Sequence, residues 1–180
     1  FIPYVKSKTK LSKKLLPTLN GTGQGYFTQP TISNKQIIFV CENDLWQVPL
    51  EGGRAQRLTS SRSETHSPVY SPNGQWIACC TMEEGEHDVY LMESSGGPLQ
   101  RLTWLNSVTH IVSWSHDGQY IWFRSTHQAV HSRGSDAWIF RVSINGGPVK
   151  RLPYGPAMTV DLQVNGKKGV VLGRNTLSNS

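Results

Sequence analysis

The chain has 180 residues and a formal net charge of +6, from 18 lysines and arginines against 12 aspartates and glutamates. Residues 1–25 hold five lysines and no acid, so the other 155 residues carry only +1, and the basic composition does not indicate a face for nucleic acid. The three cysteines cannot all pair, which favours a reducing compartment, and no apolar run approaches the roughly 18 residues of a membrane span.

The first segment, residues 1–25, has the composition of a leader rather than of a folded domain. It is basic, contains serines and threonines, and ends in "GTGQG" at residues 21–25. No helix follows these glycines to bind a phosphate, so a flexible joint is the better interpretation. We expect a disordered arm, or the remains of an organelle transit peptide, in an otherwise cytoplasmic protein.

Beyond the leader, one pattern occurs three times. "NDLWQVPLEGGRAQRLT" (residues 43–59) is followed by "HDVYLMESSGGPLQRLT" (87–103) and "SDAWIFRVSINGGPVKRLP" (135–153). The second glycine of the turn recurs at spacings of 44 and 50 residues. Self-similarity at such a period indicates a stacked or radial repeat.

Each copy of this pattern has a partner hairpin upstream, the first being "QPTISNKQIIFV" (residues 29–40), whose turn is two residues shorter. The turns of the later hairpins are Asn73-Gly74, Asp117-Gly118 and Asn165-Gly166. Such pairs tolerate the positive φ that both central residues of a two-residue turn require. Two hairpins give four strands in roughly 44 residues, which is the size of one propeller blade, and no repeat offers the 12 residues or so of periodicity that a helix needs.

The sequence therefore predicts an all-β fold, a partial β-propeller of about 3.5 four-stranded blades within residues 26–180. The blades are expected near residues 26–66, 67–109, 110–156 and 157–180, the last one partial. Because a propeller closes with about four to eight blades, we expect a fragment of a larger ring that folds poorly alone and self-associates.

The strand "DLWQVPL" shows how the blades are expected to pack. Alternation places Leu45, Gln47 and Pro49 on one face, and Trp46, Val48 and Leu50 on the other. The aromatic residue recurs as Tyr90 and Trp138. We predict that these rings form the packing layer between adjacent blades.

The histidines and cysteines do not predict a metal or cofactor site. His127 and His131 have a spacing that suits a helix face, but they lie in a predicted loop. Cys41, Cys79 and Cys80 belong to no CxxC pair. The histidines are therefore interpreted as solvated loop residues.

No catalytic residues are predicted either. Ser115-His116-Asp117 contains the residue types of a catalytic triad, but consecutive residues cannot converge on one reacting atom, and the three are expected in a hairpin turn. An arginine recurs near the end of each repeat, as Arg57, Arg101 and Arg151. This arginine could line one rim of the propeller and bind an acidic group. The commoner role of such a residue is that of a solvated charge that keeps the edge strand from pairing with other chains, a solvated edge guard.

A family resemblance is visible in two segments. "YFTQPTISNKQIIFVCENDLWQVPLEGGRAQRLTS" (residues 26–60) resembles the opening of the tricorn protease family. Gly155-Pro156-Ala157, followed by Gly-Arg-Asn-Thr at 173–176, is similar to the first propeller of that family. The general blade pattern is also shared with the Tol-system periplasmic propeller and with propellers of prolyl-oligopeptidase-like enzymes.

The resemblance implies a concrete function. Tricorn-like proteins are cytosolic serine peptidases that assemble as hexamers, with a six-bladed and then a seven-bladed propeller before a catalytic region. The resemblance thus implies a gating and scaffolding segment for peptide degradation, with the catalytic residues far downstream and with peptides as substrates of the parent. In some members a basic pair in a loop holds the substrate carboxylate, but "WLNSVTHIV" (104–112) has no arginine or lysine. The alternative is a stand-alone protein-binding propeller of the Tol-system or WD-like type.

Overall fold

The computed structural model describes residues 4–5, 26–33, 35–60, 63–127, 137–164 and 167–173, with side chains described for 26–33, 35–60, 63–127, 137–160 and 170–173. All regular structure in these ranges is β-strand. The strands of the first half are β1 (Tyr4–Val5), β2 (Thr28–Ile32), β3 (Gln36–Cys41), β4 (Asp44–Pro49), β5 (Gly53–Arg54), β6 (Gln56–Arg57), β7 (Thr65–Tyr70) and β8 (Trp76–Thr81). Those of the second half are β9 (Asp88–Glu93), β10 (Gln100–Arg101), β11 (Thr109–Trp114), β12 (Tyr120–Ser125), β13 (Trp138–Ser143), β14 (Lys150–Arg151), β15 (Thr159–Val164) and β16 (Lys167–Gly173).

Apart from β1 and β5, which pair with each other, these strands form four antiparallel sheets that follow chain order. The first blade is β2-β3-β4-β6, the second β7-β8-β9-β10 and the third β11-β12-β13-β14, while β15 and β16 make a two-stranded fourth sheet. The outermost strand of each blade has only two residues, which leaves little unpaired edge for other chains. The predicted all-β, four-stranded blade is confirmed.

The sheets are arranged radially. The first strands of neighbouring blades contact one another, β2 with β7, β7 with β11, and β11 with β15. The fourth strands instead lie at the far side of each sheet, beside the third strand. Within the described residues the sheets do not close into a ring, so the structure is an arc of a propeller.

Every inner strand carries an irregularity at the same place. The pairing of β2, β7, β11 and β15 with the following strand shifts register after the first one to three paired residues. In the first two blades the bulged residues, Gln29 and Ser67, have positive φ angles of 50° and 52°. A bulge bends a strand and re-aims its side chains, and here it does so close to the axis.

Apolar clusters fill the spaces between the blades. Tyr90 lies in the cluster between the first and second blades, and Trp138 packs against the cluster between the second and third. The interpretation of these two rings as inter-blade packing is confirmed. Trp46 is also buried, but its cluster consists of first-blade residues alone, with Leu45 on the opposite face, as the alternation predicts.

The turns of the first hairpins differ from the prediction. Only the glycine of each pair has a positive φ, 69° at Gly74 and 68° at Gly118, so these are not two-residue turns of the predicted kind. The Gly74 N–H donates to the Ser71 carbonyl, and the Asn73 Oδ1 accepts from the Ser71 hydroxyl and the Gln75 N–H. These side-chain hydrogen bonds favour a wider turn, and Asn165-Gly166 lies outside the described residues.

Two residues of the leader also take part in the fold. β1 pairs antiparallel with β5, with Tyr4 opposite Arg54 and Val5 opposite Gly53. The leader composition did not predict this pairing.

Candidate functional site

Three histidines meet near the axis, between the second and third blades. His66 and His110 occupy the second position of the inner strands β7 and β11, and His87 directly precedes β9. The His66 Nε2 lies 2.6 Å from the His87 Nδ1, and the His66 and His110 ring centroids are 4.9 Å apart. We call these three residues the rim histidines.

The bulge in β7 joins this cluster to the first blade. The Ser67 hydroxyl lies 2.9 Å from the His66 Nδ1 and 3.3 Å from the His110 Nδ1. The Ser67 backbone N–H donates to the Gln29 Oε1 at 2.5 Å. Because Gln29 and Ser67 are the two bulged residues with positive φ, the irregularity of the inner strands is what brings side chains of three blades together.

A cation lies beside the rim histidines. Arg124 pairs with His110 in the register of β11 and β12, and its Nη1 lies 3.0 Å from the Met158 Sδ, which is a weak acceptor. None of the ion pairs found within the described residues involves Arg124.

This environment keeps the His66 and His110 rings neutral. Burial, then His110, His87 and Arg124, lowers the pKa of His66 to about 3. Burial, then Arg124 and His87, lowers the pKa of His110 to about 4. Near pH 7 both rings are therefore uncharged and act as hydrogen-bonding groups, while Arg124 supplies the positive charge.

Ser67, His66 and His87 have the residue types of a nucleophile, a base and an orienting group within hydrogen-bond distance. A general base works best when its pKa lies near the operating pH. With a pKa of about 3, His66 is a poor acceptor for the Ser67 proton at neutral pH. The arrangement is better suited to binding and positioning than to nucleophilic catalysis.

The rim histidines were not predicted, although the sequence carries a signal for them. Thr65-His66 and Thr109-His110 are spaced by one 44-residue period, so the same blade position holds histidine twice. The interpretation of the histidines as solvated loop residues is wrong for His66, which is 3% exposed on an inner strand.

The structure brings the other histidine and cysteine candidates into no such site. His127 lies against the Phe140 ring, and His131 lies outside the described residues. Within the described part of the chain, no group of three or more histidine, cysteine, aspartate or glutamate side chains is arranged to hold a metal ion. The free cysteines are buried, and burial raises the pKa of each thiol, to about 12 for Cys79.

The recurring arginines are structural. Arg101 donates from Nη2 to the Asp88 Oδ2 at 2.7 Å, and Asp88 also accepts from the Thr103 hydroxyl at 2.6 Å. Arg57 pairs with Asp44 in the same way in the first blade. Because Asp88 is fully buried and Arg101 only 16% exposed, the interpretation as a solvated edge guard is wrong in the second blade.

The third arginine has a different neighbour. Arg151 stacks on the Trp138 ring, with its guanidinium carbon 3.5 Å from the ring centroid. A cation over the face of an indole is attracted by the ring quadrupole. This contact also fixes a residue of the outermost strand of its blade.

Ser115 and Asp117 form a turn, as predicted. The Ser115 hydroxyl donates to the Asp117 Oδ1 at 2.5 Å, and the Gln119 N–H donates to the same oxygen at 3.0 Å. The hydrogen bond from Ser115, then that from Gln119, lowers the pKa of Asp117. The Asp117 carboxylate therefore stabilises the turn through these hydrogen bonds.

The two glycines that flank the segment resembling the tricorn family have steric roles. A Cβ on Gly155, whose φ is 141°, would lie 2.8 Å from the Trp138 Cε3. A Cβ on Gly173 would lie 2.3 Å from the Thr159 Oγ1. Both close approaches favour glycine, and they tie this segment to the third and fourth sheets.

Comparison with known proteins decides the family. The sequence profile of the tricorn protease N-terminal beta propeller domain matches residues 24–179. The chain belongs to this tricorn propeller family. Tricorn protease homolog 1 of Streptomyces coelicolor is 33% identical over 131 residues, which is 73% of this chain and 12% of that protein.

Solved structures agree with the fold. A crystal structure of the tricorn protease has a TM-score of 0.68 and 24% identity, over 79% of this chain and 14% of that one. TolB from Acinetobacter baumannii has a TM-score of 0.61 and 21% identity, over 87% of this chain and 39% of that one. The chain thus spans only a small part of its tricorn relatives, and at these identities the structural likeness concerns the fold alone.

In the described part of the chain, no helix has the length and apolar character needed to cross a bilayer.

Proposed function

We propose that this chain is the scaffolding and gating segment of a tricorn-like serine peptidase that degrades peptides in the cytoplasm. The parent would assemble as a hexamer, and its catalytic residues would lie outside this chain. If the leader is a transit peptide, the compartment would be an organelle instead.

The observation that carries this proposal is the polar rim at the axis of a tricorn-type propeller. His110 and Arg124 are partly exposed where the inner strands of two blades meet, next to the buried His66, so these two side chains border whatever passes along the axis. A neutral imidazole and a cation can contact the carbonyl groups and the acidic groups of a peptide. The low pKa of His66 argues against a nucleophilic role for Ser67.

The test uses the parent protein from the full reading frame. We expect it to hydrolyse peptides and to be labelled by a fluorophosphonate at a serine outside residues 1–180. A Ser67→Ala variant should keep its peptide turnover within about twofold, since the serine only accepts and donates hydrogen bonds. Labelling of Ser67, or a parent without peptidase activity, would contradict the proposal.

Gating can be tested separately in the same protein. Gln29 lies on the inner strand of the first blade, and its side chain is exposed. A Gln29→Trp substitution should lower kcat/KM for long peptides more than for tetrapeptides, because added bulk near the axis obstructs larger substrates first. Equal losses for both lengths would exclude a gating role for this rim.

A second candidate function is favoured by an exposed apolar pair. Trp104 and Val108, in the loop between β10 and β11, are 68% and 50% exposed. Exposed apolar side chains can mark a protein contact surface, as expected of a stand-alone binding propeller. A reading frame that ends after the propeller, together with a partner lost on Trp104→Ser, would favour this alternative over the peptidase.

A further inference from the structure

One face of the first blade is apolar and buried although no blade among the described residues lies on it. This face, the end face, consists of Ile37, Phe39, Cys41, Trp46, Val48 and Ala55. Apart from the half-buried Ile37, its members are at most 7% exposed. The second blade packs against the opposite face, through residues such as Ile38 and Leu45.

The repeat identifies what this face is built for. Trp46 and Phe39 correspond in strand position to Tyr90 and Cys79 of the second blade. In that blade the equivalent face packs against the preceding blade. The end face is therefore the surface that a preceding blade would cover.

The structure places another segment beside it. β1 pairs with β5 through Tyr4 and Val5, and β5 lies next to Ala55, a member of the end face. The chain begins "FIPYV" before the first lysine, so the segment around β1 is apolar in composition. An apolar strand matches an apolar face whose burial no described blade explains.

We propose that the N-terminal strand β1 seals the end face and takes the place of a preceding blade. Backbone pairing with β5 holds the strand in position, and burial of apolar surface supplies the attraction. In a closed ring, the last blade would compete with β1 for the same face. β1 is thus a strap that ring closure has to displace.

The three cysteines report on this arrangement because each lies at a different boundary. Cys41 belongs to the end face, Cys79 to the space between the first and second blades, and Cys80 to the space between the second and third. All three thiols are buried and have a raised pKa, so each reacts slowly until it is uncovered.

The experiment compares the full chain with a variant that lacks residues 1–5. Both are treated with N-ethylmaleimide under native conditions, and tryptic peptides distinguish Cys41 from Cys79 and Cys80. We expect slow labelling of all three thiols in the full chain, and labelling of Cys41 alone to be at least about tenfold faster after the deletion. Unchanged protection of Cys41 in the variant, or rapid labelling of all three in the full chain, would overturn the proposal.

The deletion variant could fail to fold, in which case all three thiols would react. A single substitution then provides the test. Val5→Pro removes a backbone N–H from β1 without shortening the chain, and Ser12→Pro is its control outside β1. Faster labelling of Cys41 with Val5→Pro but not with Ser12→Pro supports the strap. Equal rates for the two variants overturn it.

Discussion

Asp88 connects three parts of the second blade through one carboxylate. It accepts hydrogen bonds from Arg101, from the Thr103 hydroxyl and from the Leu105 N–H. The Thr103 hydroxyl in turn accepts from the Val89 N–H. The recurring Arg-Leu-Thr of the sequence is thus explained by an aspartate at the start of the third strand, which fixes the short fourth strand.

Removing this carboxylate should be costly. We expect Asp88→Ala to lower the free energy of unfolding by about 3–5 kcal/mol, because it leaves buried donors and a partly buried guanidinium without their partner. Glu84→Ala is the matched control, since Glu84 binds the same arginine but is 69% exposed, and its loss should cost at most about 1 kcal/mol. Urea denaturation of the two variants measures both values, and equal losses would contradict the role of Asp88.

The rim histidines predict a pH dependence of stability. The pKa of His66 is near 6.5 in the unfolded chain and about 3 in the folded one, so below pH 6.5 the unfolded state binds more protons. The contribution of His66 to the free energy of unfolding should be complete above pH 6.5. It should fall as the pH drops towards 4, by up to about 1.4 kcal/mol per pH unit. The difference in unfolding free energy between the wild type and His66→Gln, measured from pH 7 to pH 5, should shrink as the pH falls. A constant difference would show that His66 does not titrate in this way.

At the scale of strands and hairpins, the regular features and the aromatic packing of Tyr90 and Trp138 were predictable, but the polar contacts between blades were not. The alternation in β4 correctly placed Leu45 and Trp46 on opposite faces, because a strand has a fixed period of two. The Asn73-Gly74 pair predicted a two-residue turn, but the turn in the structure is wider. The hydrogen bond between the side chains of Ser71 and Asn73 favours the wider turn, and the Asn-Gly pair alone does not indicate it. The contact of His66 with His110 arises from the packing of neighbouring blades, so only the repeat spacing hinted at it.

The aromatic layer gives a prediction for the element scale. Tyr90 is 3% exposed between the first and second blades, so Tyr90→Ala should lower the free energy of unfolding by about 3–5 kcal/mol through loss of packing. Tyr26→Ala is the control, because Tyr26 is 85% exposed, and it should be nearly neutral. Denaturant melts that find the two variants equally stable would contradict the packing layer.

At the scale of the whole molecule, the blades share an axis. Contacts between consecutive inner strands, rather than between outer strands, define that arrangement. The axial position of the rim histidines and the proposed strap on the end face both follow from this arrangement. The sequence period predicted the radial order, but it could not show which surfaces of the arc are covered.

The most direct test is a hydrogen bond between two blades. The Trp114 indole Nε1 donates to the Val69 carbonyl at 3.0 Å, across 45 residues of sequence. In nuclear Overhauser spectra of the labelled chain, we expect cross-peaks from the Trp114 indole proton to Val69, together with slow exchange of that proton. Cross-peaks of this indole confined to its own sheet, with rapid exchange, would contradict the radial arrangement.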